Sequence, residues 1–212
     1  MKSLSKLIVL MVTGLLAGTA LAAGDAAAGK QKAAACAACH GQDGNSSSAQ
    51  YPKLAGQGEQ YLVKQLKDYK SGARENAIMA GQAAGLSEQD MQDIAAFYAQ
   101  QQIKVGAANP EYADQGEQLW RGGNEETGVA ACTGCHGPAG DGIDAAGYPA
   151  LGGQHADYVA AQLKAFRNAG QGALEGPARD NDPNAMMRNI ADRMTDREIR
   201  AVSSFISGLS NR

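Results

Sequence analysis

Apolar residues recur at helical spacing in four stretches of the chain, and the stretches come in two matching pairs. Tyr61, Leu62, Leu66 and Tyr69 form one stripe, and Tyr158, Val159, Leu163 and Phe166 form its counterpart. They predict core-facing helices over about 59–70 and 156–168. Met91, Ile94, Phe97 and Tyr98 form a second stripe, matched by Ile199, Val202, Phe205 and Ile206. These predict the last helix of each half, and both starts are marked. Ser87 with Asp90, and Thr195 with Glu198, have capping-box spacing; Leu86 with Met91, and Met194 with Ile199, fit hydrophobic staples. An earlier helix is expected after Asp25, running through the alanines toward Cys36. Its counterpart follows Asp114 and carries Leu119 and Trp120. No stretch is rich in strand-like alternation, so the fold class is all-α.

The pairing of helices follows from a repeat. Tyr51-Pro-Lys-Leu-Ala-Gly-Gln57 returns as Tyr148-Pro-Ala-Leu-Gly-Gly-Gln154, a period near 97 (148 − 51). Gln65-Leu66-Lys67 returns as Gln162-Leu163-Lys164. Two copies of so long a unit are a duplicated domain rather than a solenoid. Helical periodicity stops near Val105-Gly-Ala-Ala-Asn-Pro110, which divides the chain into units at 23–106 and 107–212. The second unit has an extra loop, Gly122 to Gly128. Units of this size are small for a self-sufficient apolar core, so each needs something else to pack around.

Residues 1–22 read as a secretory signal. Lys2 and Lys6 precede an apolar run from Leu7 to Leu16, and Ala20-Leu21-Ala22 is a small-residue cleavage site. The protein is therefore expected in the periplasm, with a chain beginning at Ala23. Loss of Lys2 and Lys6 takes the formal charge from −3 to −5. The charge is uneven: residues 23–106 carry 8 acids and 8 bases, and residues 107–212 carry 14 acids and 9 bases. An acidic, polarised chain is a poor nucleic-acid binder, and the acidic half supplies a field that can steer docking partners.

All 4 cysteines lie in two motifs, Cys36-Ala-Ala-Cys39-His40 and Cys132-Thr-Gly-Cys135-His136. Cys-x-x-Cys-His is the attachment sequence of c-type haem. The paired thiols form thioethers with the two porphyrin vinyl groups, and the following histidine becomes the proximal iron ligand. A compact zinc ribbon would need its two pairs roughly 15–20 residues apart. Cys39 and Cys132 are 93 apart (132 − 39), too far for one such site. Two covalent c-type haems are thus expected, and they would supply the missing cores. Pro52 and Pro149 follow the motifs, and a carbonyl in those loops can accept the histidine Nδ1–H.

The opposite face of each iron decides between an open catalytic site and a closed electron carrier. The first unit has no second histidine, so its candidate is methionine. Met91 and Met194 are accounted for by the staples. That leaves Met79 in one half and Met186 or Met187 in the other, all read as loop residues. Met79 stands 7 before Leu86 (86 − 79) and Met187 stands 7 before Met194 (194 − 187), so the repeat selects Met187. His155, at the start of a middle helix, is expected on the surface or in a hydrogen bond.

These residues resemble class I cytochromes c, and the two-unit pattern resembles the dihaem family called cytochrome c4, over the whole of 23–212. The carriers of the resemblance are the paired motifs, the Tyr-Pro-x-Leu-x-Gly-Gln loops and the methionines before each capped last helix. It implies two tandem cytochrome c folds about a pseudo-twofold. Cys36, Cys39, Cys132 and Cys135 would be thioether sites, His40 and His136 proximal ligands, and Met79 and Met187 distal ligands. It also implies a non-enzymatic electron carrier, loosely associated with the inner membrane, taking electrons from a donor such as a cytochrome bc complex. The acceptor would be a haem-copper terminal oxidase. An electron-accepting subunit of a dehydrogenase, for instance one oxidising sulfur compounds, is the main alternative. A dihaem peroxidase is a weaker one, because it needs an open iron.

Overall fold

The computed structural model describes residues 23–173 and 175–210. The expected leader, 1–22, lies outside them. Among the described residues the fold is all-α, with only two isolated β-bridges. Five helices build the first half: α1 (Ala26–Lys32), α2 (Ala37–His40), α3 (Glu59–Ser71), α4 (Ala77–Ala84) and α5 (Glu88–Ala99). Five build the second: α6 (Ala113–Gly122), α7 (Thr133–His136), α8 (Ala156–Gly170), α9 (Met186–Ala191) and α10 (Asp196–Gly208). Among the described residues no helix is long and apolar enough to cross a membrane.

The capping chemistry sets the frame. Asp25 accepts from the Ala27 and Ala28 amides and starts α1. Both expected capping boxes form: Ser87 with Asp90 opens α5, and Thr195 with Glu198 opens α10. Each box satisfies two amides that the helix itself cannot. Helix α6 starts one residue earlier than Asp114, because a 3-10 turn at Pro110–Tyr112, capped by Asn109, feeds directly into it.

In each half the first helix crosses the last, α1 on α5 and α6 on α10. Glycine allows the close approach. A Cβ on Gly29 would overlap the Asp93 carbonyl of α5, and one on Gly116 would overlap the Ala201 carbonyl of α10. Gly29→Ala is expected to force the helices apart and lower stability by about 1–3 kcal/mol, despite alanine's better helix propensity. Chemical denaturation of the holo-protein checks this; an unchanged midpoint would mean the crossing can relax.

The second core gathers Leu119, Trp120, Val129, Val159, Leu163, Met194, Ile199, Val202 and Ile206. The first is leaner, with Ala33, Leu62, Ile94, Ala95, Phe97 and Tyr98. Met91 and Met194 are buried at 2% and 4% exposure, as the staples require.

The halves meet through side chains of the repeat. The Gln57 amide accepts from the Ala150 N–H at 2.8 Å and donates to the Ala150 carbonyl at 2.9 Å. Gln154 does the same to Lys53, at 2.8 and 2.9 Å. The equality of these two crossed pairs is a pseudo-twofold in hydrogen bonds. Two aromatic stripe positions expected to face the core, Tyr61 and Tyr158, instead turn their hydroxyls to arginines of the opposite half. A phenol next to a guanidinium keeps its hydrogen bond, whereas the apolar core offers none.

Candidate haem-binding sites

The two Cys-x-x-Cys-His motifs fold alike. In each, the first cysteine is the N-cap of a single helical turn that ends on the histidine, and a positive-φ glycine follows, Gly41 or Gly137. The turn gathers two thiols and an imidazole at one helix end. All four cysteines are free thiols. Burial pushes the Cys36 thiol up and the Cys132 thiol up to about 11. Protonated thiols in such surroundings are not poised as metal thiolates or redox nucleophiles. Among the described residues no group of three or more His, Cys, Asp or Glu side chains is placed to hold a bare metal ion.

The histidines are 6% and 7% exposed. His40 Nδ1 lies 2.8 Å from the Pro52 carbonyl, and His136 Nδ1 lies 2.9 Å from the Pro149 carbonyl. A carbonyl only accepts, so the proton sits on Nδ1 and the Nε2 lone pair is free. Burial lowers both imidazole pKa values, with the proline hydrogen bond opposing. Both rings are therefore neutral at pH 7, the state that binds iron. Aromatic neighbours hold them: Tyr51 stands edge-on to His40 at 6.2 Å, and Trp120 tilts against His136 at 6.3 Å. The Tyr98 hydroxyl, buried beside Cys36, has no hydrogen-bond partner among the described residues. Free Nε2 atoms, paired free thiols and an unsatisfied buried hydroxyl beside one of them fit a covalently attached porphyrin.

The methionines differ from expectation in one respect. Met79 and Met187 lie not in loops but in the first turns of short helices, α4 and α9. The runs are too short for periodicity to register, and their starts are made by local caps. Asn76 accepts from the Met79 amide at 3.0 Å and so fixes that residue in the first turn. Before Met187 the chain passes through Asn184 and Ala185, both at positive φ, and Asp182 binds the Arg188 amide and guanidinium. Positive φ costs an alanine about 1–2 kcal/mol, so the α9 entry is held in place by its surroundings. Met187 packs on the second core together with Cys132, while Met186 is 37% exposed. Met79 is half-buried and is not among the residues packed on the first core.

His155 caps α8, and its Nε2 lies 2.8 Å from Ser46 Oγ and 3.0 Å from Ser46 O across the halves, a hydrogen-bonding role. Sequence reasoning noted that Gln57, Gln65 and their repeats recur but assigned them no task. Arg74 and Arg179, which bind Gln65 and Gln162, carry no such signal, because unequal loops shift them out of register.

Comparison with known proteins agrees with this geometry. The cytochrome c family pattern matches residues 26–102 and 113–210. Cytochrome c4 of Pseudomonas aeruginosa is 51% identical over 207 residues, covering 97% of this chain and 100% of that protein. The crystal structure of reduced recombinant cytochrome c4 from Pseudomonas stutzeri superposes with a TM-score of 0.81 at 49% identity, covering 88% of this chain and all of that one. A thiosulfate dehydrogenase electron acceptor of Thiomonas intermedia is 39% identical over 189 residues, 85% of this chain and 81% of that protein. The chain belongs to the cytochrome c family, and within it to the dihaem cytochromes c4: two tandem domains, two covalently bound c-type haems, and the task of carrying electrons between redox partners.

Proposed function

We propose that this is an exported shuttle which takes electrons one at a time from a membrane donor and delivers them to a haem-copper terminal oxidase. Residues 1–22 are the cleaved leader, residues 23–106 and 107–212 are the two domains, and the protein works in the periplasm at the face of the inner membrane. Each haem, when bound, supplies a one-electron Fe(III)/Fe(II) couple. The chain's part is attachment and closure. Cys36 and Cys39, and Cys132 and Cys135, hold the porphyrins by thioethers. His40 and His136 would offer Nε2 to the iron, and Met79 and Met187 would offer their sulfurs as second ligands. A closed coordination sphere leaves no position for a substrate, which suits a carrier rather than a peroxidase.

The observation that carries this reading is the pair of matched bonds from histidine Nδ1 to the Pro52 and Pro149 carbonyls. Each fixes a tautomer and raises the basicity of the nitrogen offered to iron. The same device in both halves supports two equivalent carriers rather than one carrier and one catalytic site. Carbon monoxide added to the reduced native protein is expected to leave both haem spectra unchanged. Stoichiometric binding at either iron would end the closed-site reading.

A second reading rests on the kinship with the Thiomonas intermedia electron acceptor: service as the accepting subunit of a thiosulfate-oxidising enzyme. Stopped-flow mixing separates the two. The shuttle reading expects rapid oxidation of the reduced protein by a purified haem-copper oxidase, slowing as salt screens the acidic second half. Failure there, with co-purification of a thiosulfate-oxidising catalytic subunit, would favour the second.

A further inference from the structure

Two arginines are buried where the halves meet. Arg74 and Arg179 are each 9% exposed. Arg74 donates Nη1 to Gln65 Oε1 at 2.8 Å, and Nη2 to Gln162 Oε1 at 2.8 Å and to the Tyr158 hydroxyl at 3.1 Å. Arg179 donates Nη1 to Gln162 Oε1 at 2.9 Å, and Nη2 to the Tyr61 hydroxyl at 3.0 Å and to Gln65 Oε1 at 3.2 Å. Its Nε donates to Asn181 at 2.9 Å. Each guanidinium lies over an aromatic ring of its own half, Arg74 over Tyr69 at 4.7 Å and Arg179 over Phe166 at 4.4 Å. The arrangement obeys the pseudo-twofold: own glutamine, opposite glutamine, opposite tyrosine, own aromatic face.

Both glutamine oxygens are shared by both guanidiniums, so the four side chains close into a ring. It contains two positive charges side by side, and every hydrogen-bond acceptor in it is neutral. Among the described residues no carboxylate stands within ion-pair distance of either arginine. Asp68, close by, is taken by Lys64 and Asn181. The Tyr61 phenol registers the field: burial pushes its pKa up, and the Arg179 and Arg74 charges overcome this and bring it below the usual value.

Two like charges out of water that meet no carboxylate among the described residues are costly to keep. A fold retains them where their field does something. Here two centres each gain one negative charge when an electron arrives. A fixed, buried positive charge favours that reduced state, and burial lets its field act with little salt screening. We propose that the Arg74–Gln65–Arg179–Gln162 ring is a shared electrostatic element which raises both haem potentials together, each arginine serving the opposite half as well as its own. Neither arginine is a catalytic residue; both are positioning residues acting through charge placed at the boundary.

The test is a spectroelectrochemical titration of the holo-protein with both haems attached. In Arg74→Gln and in Arg179→Gln, both one-electron reductions are expected to become about tenfold less favourable, a fall of about 59 mV in each midpoint. Arg74→Lys, which keeps the charge, restores most of the loss. Gln162→Glu sets a carboxylate between the two guanidiniums at almost no change in volume. It is expected to lower both potentials without loss of stability, and it decides the matter if the arginine variants fold poorly. Unchanged visible spectra in every variant establish intact iron ligation, so a wrong ligand assignment cannot mimic the result. Unchanged potentials alongside a lowered melting temperature would make the ring a mere clamp and overturn the proposal. A shift confined to one haem would overturn the sharing.

Discussion

In Met187→Ala protein, one haem is expected to turn high-spin, bind carbon monoxide when reduced and lose potential, while the other keeps its native spectrum. Met79→Ala should do the same to the other haem. The argument runs from position. Met187, like Cys132, packs against the second core, and it follows a helix entry at which Asn184 and Ala185 stand at positive φ. Met186 points out, and its sulfur receives only a long contact of 3.9 Å from the Tyr148 hydroxyl. Met186→Ala is therefore the control and should leave the spectrum unchanged. Loss of a methionine ligand removes the stabilisation of Fe(II) that keeps such centres at high potential. A fall on the order of 0.1 V or more is expected, part of the roughly 0.8 V that axial ligation spans. Visible spectra with a redox titration check it. If Met186→Ala, and not Met187→Ala, opened the site, the register drawn from the repeat would be wrong.

Trp120→Ala is expected to cost about 3–5 kcal/mol, a large part of the stability of a domain this small. Trp120 is 0% exposed and stands in the second core. Its Nε1–H donates to the Pro138 carbonyl at 3.0 Å, and its ring lies 6.3 Å from that of His136. Truncation leaves a cavity, an unpaired carbonyl and a less firmly held histidine. Denaturation followed by circular dichroism should become two-phased, with the second half melting early and the first near its native midpoint. A single unshifted transition would show that the haem, and not the tryptophan, dominates that core.

Much of the site is legible in the chain because it depends on short spacing. A thiol pair and a histidine within five residues fold into one helical turn whatever surrounds them. A serine or threonine three residues before an acid caps a helix locally, and both last helices start where those boxes place them. The methionine helices were harder to read. Asn76 and Asp182 act as their local anchors, yet α4 and α9 have only 8 and 6 residues, less than is needed for an apolar stripe to declare itself. The sequence also treats Tyr61 and Tyr158 as stripe residues, because helical periodicity tells which side is covered but not by what.

The amino-acid sequence by itself determined the chemistry each half carries: covalent porphyrin attachment at a Cys-x-x-Cys-His motif, and a duplicated helical frame. These follow from contacts between near neighbours, where covalent geometry and capping leave few alternatives. Only the tertiary structure decided which carbonyl fixes each histidine, that Met187 turns inward while Met186 does not, and that Gln57 and Gln154 clasp the opposite half. The same holds for the two buried arginines gathered at one boundary. The histidine bonds join groups 12 and 13 residues apart within one half, whereas the glutamine clasps and the arginine contacts across the halves join groups 84 to 118 apart and exist only once both halves are folded and docked. The repeat points to Met187 and to the proline loops, but no pattern along the chain encodes the meetings across the halves, since they arise from the packing of surfaces rather than from the spacing of residues.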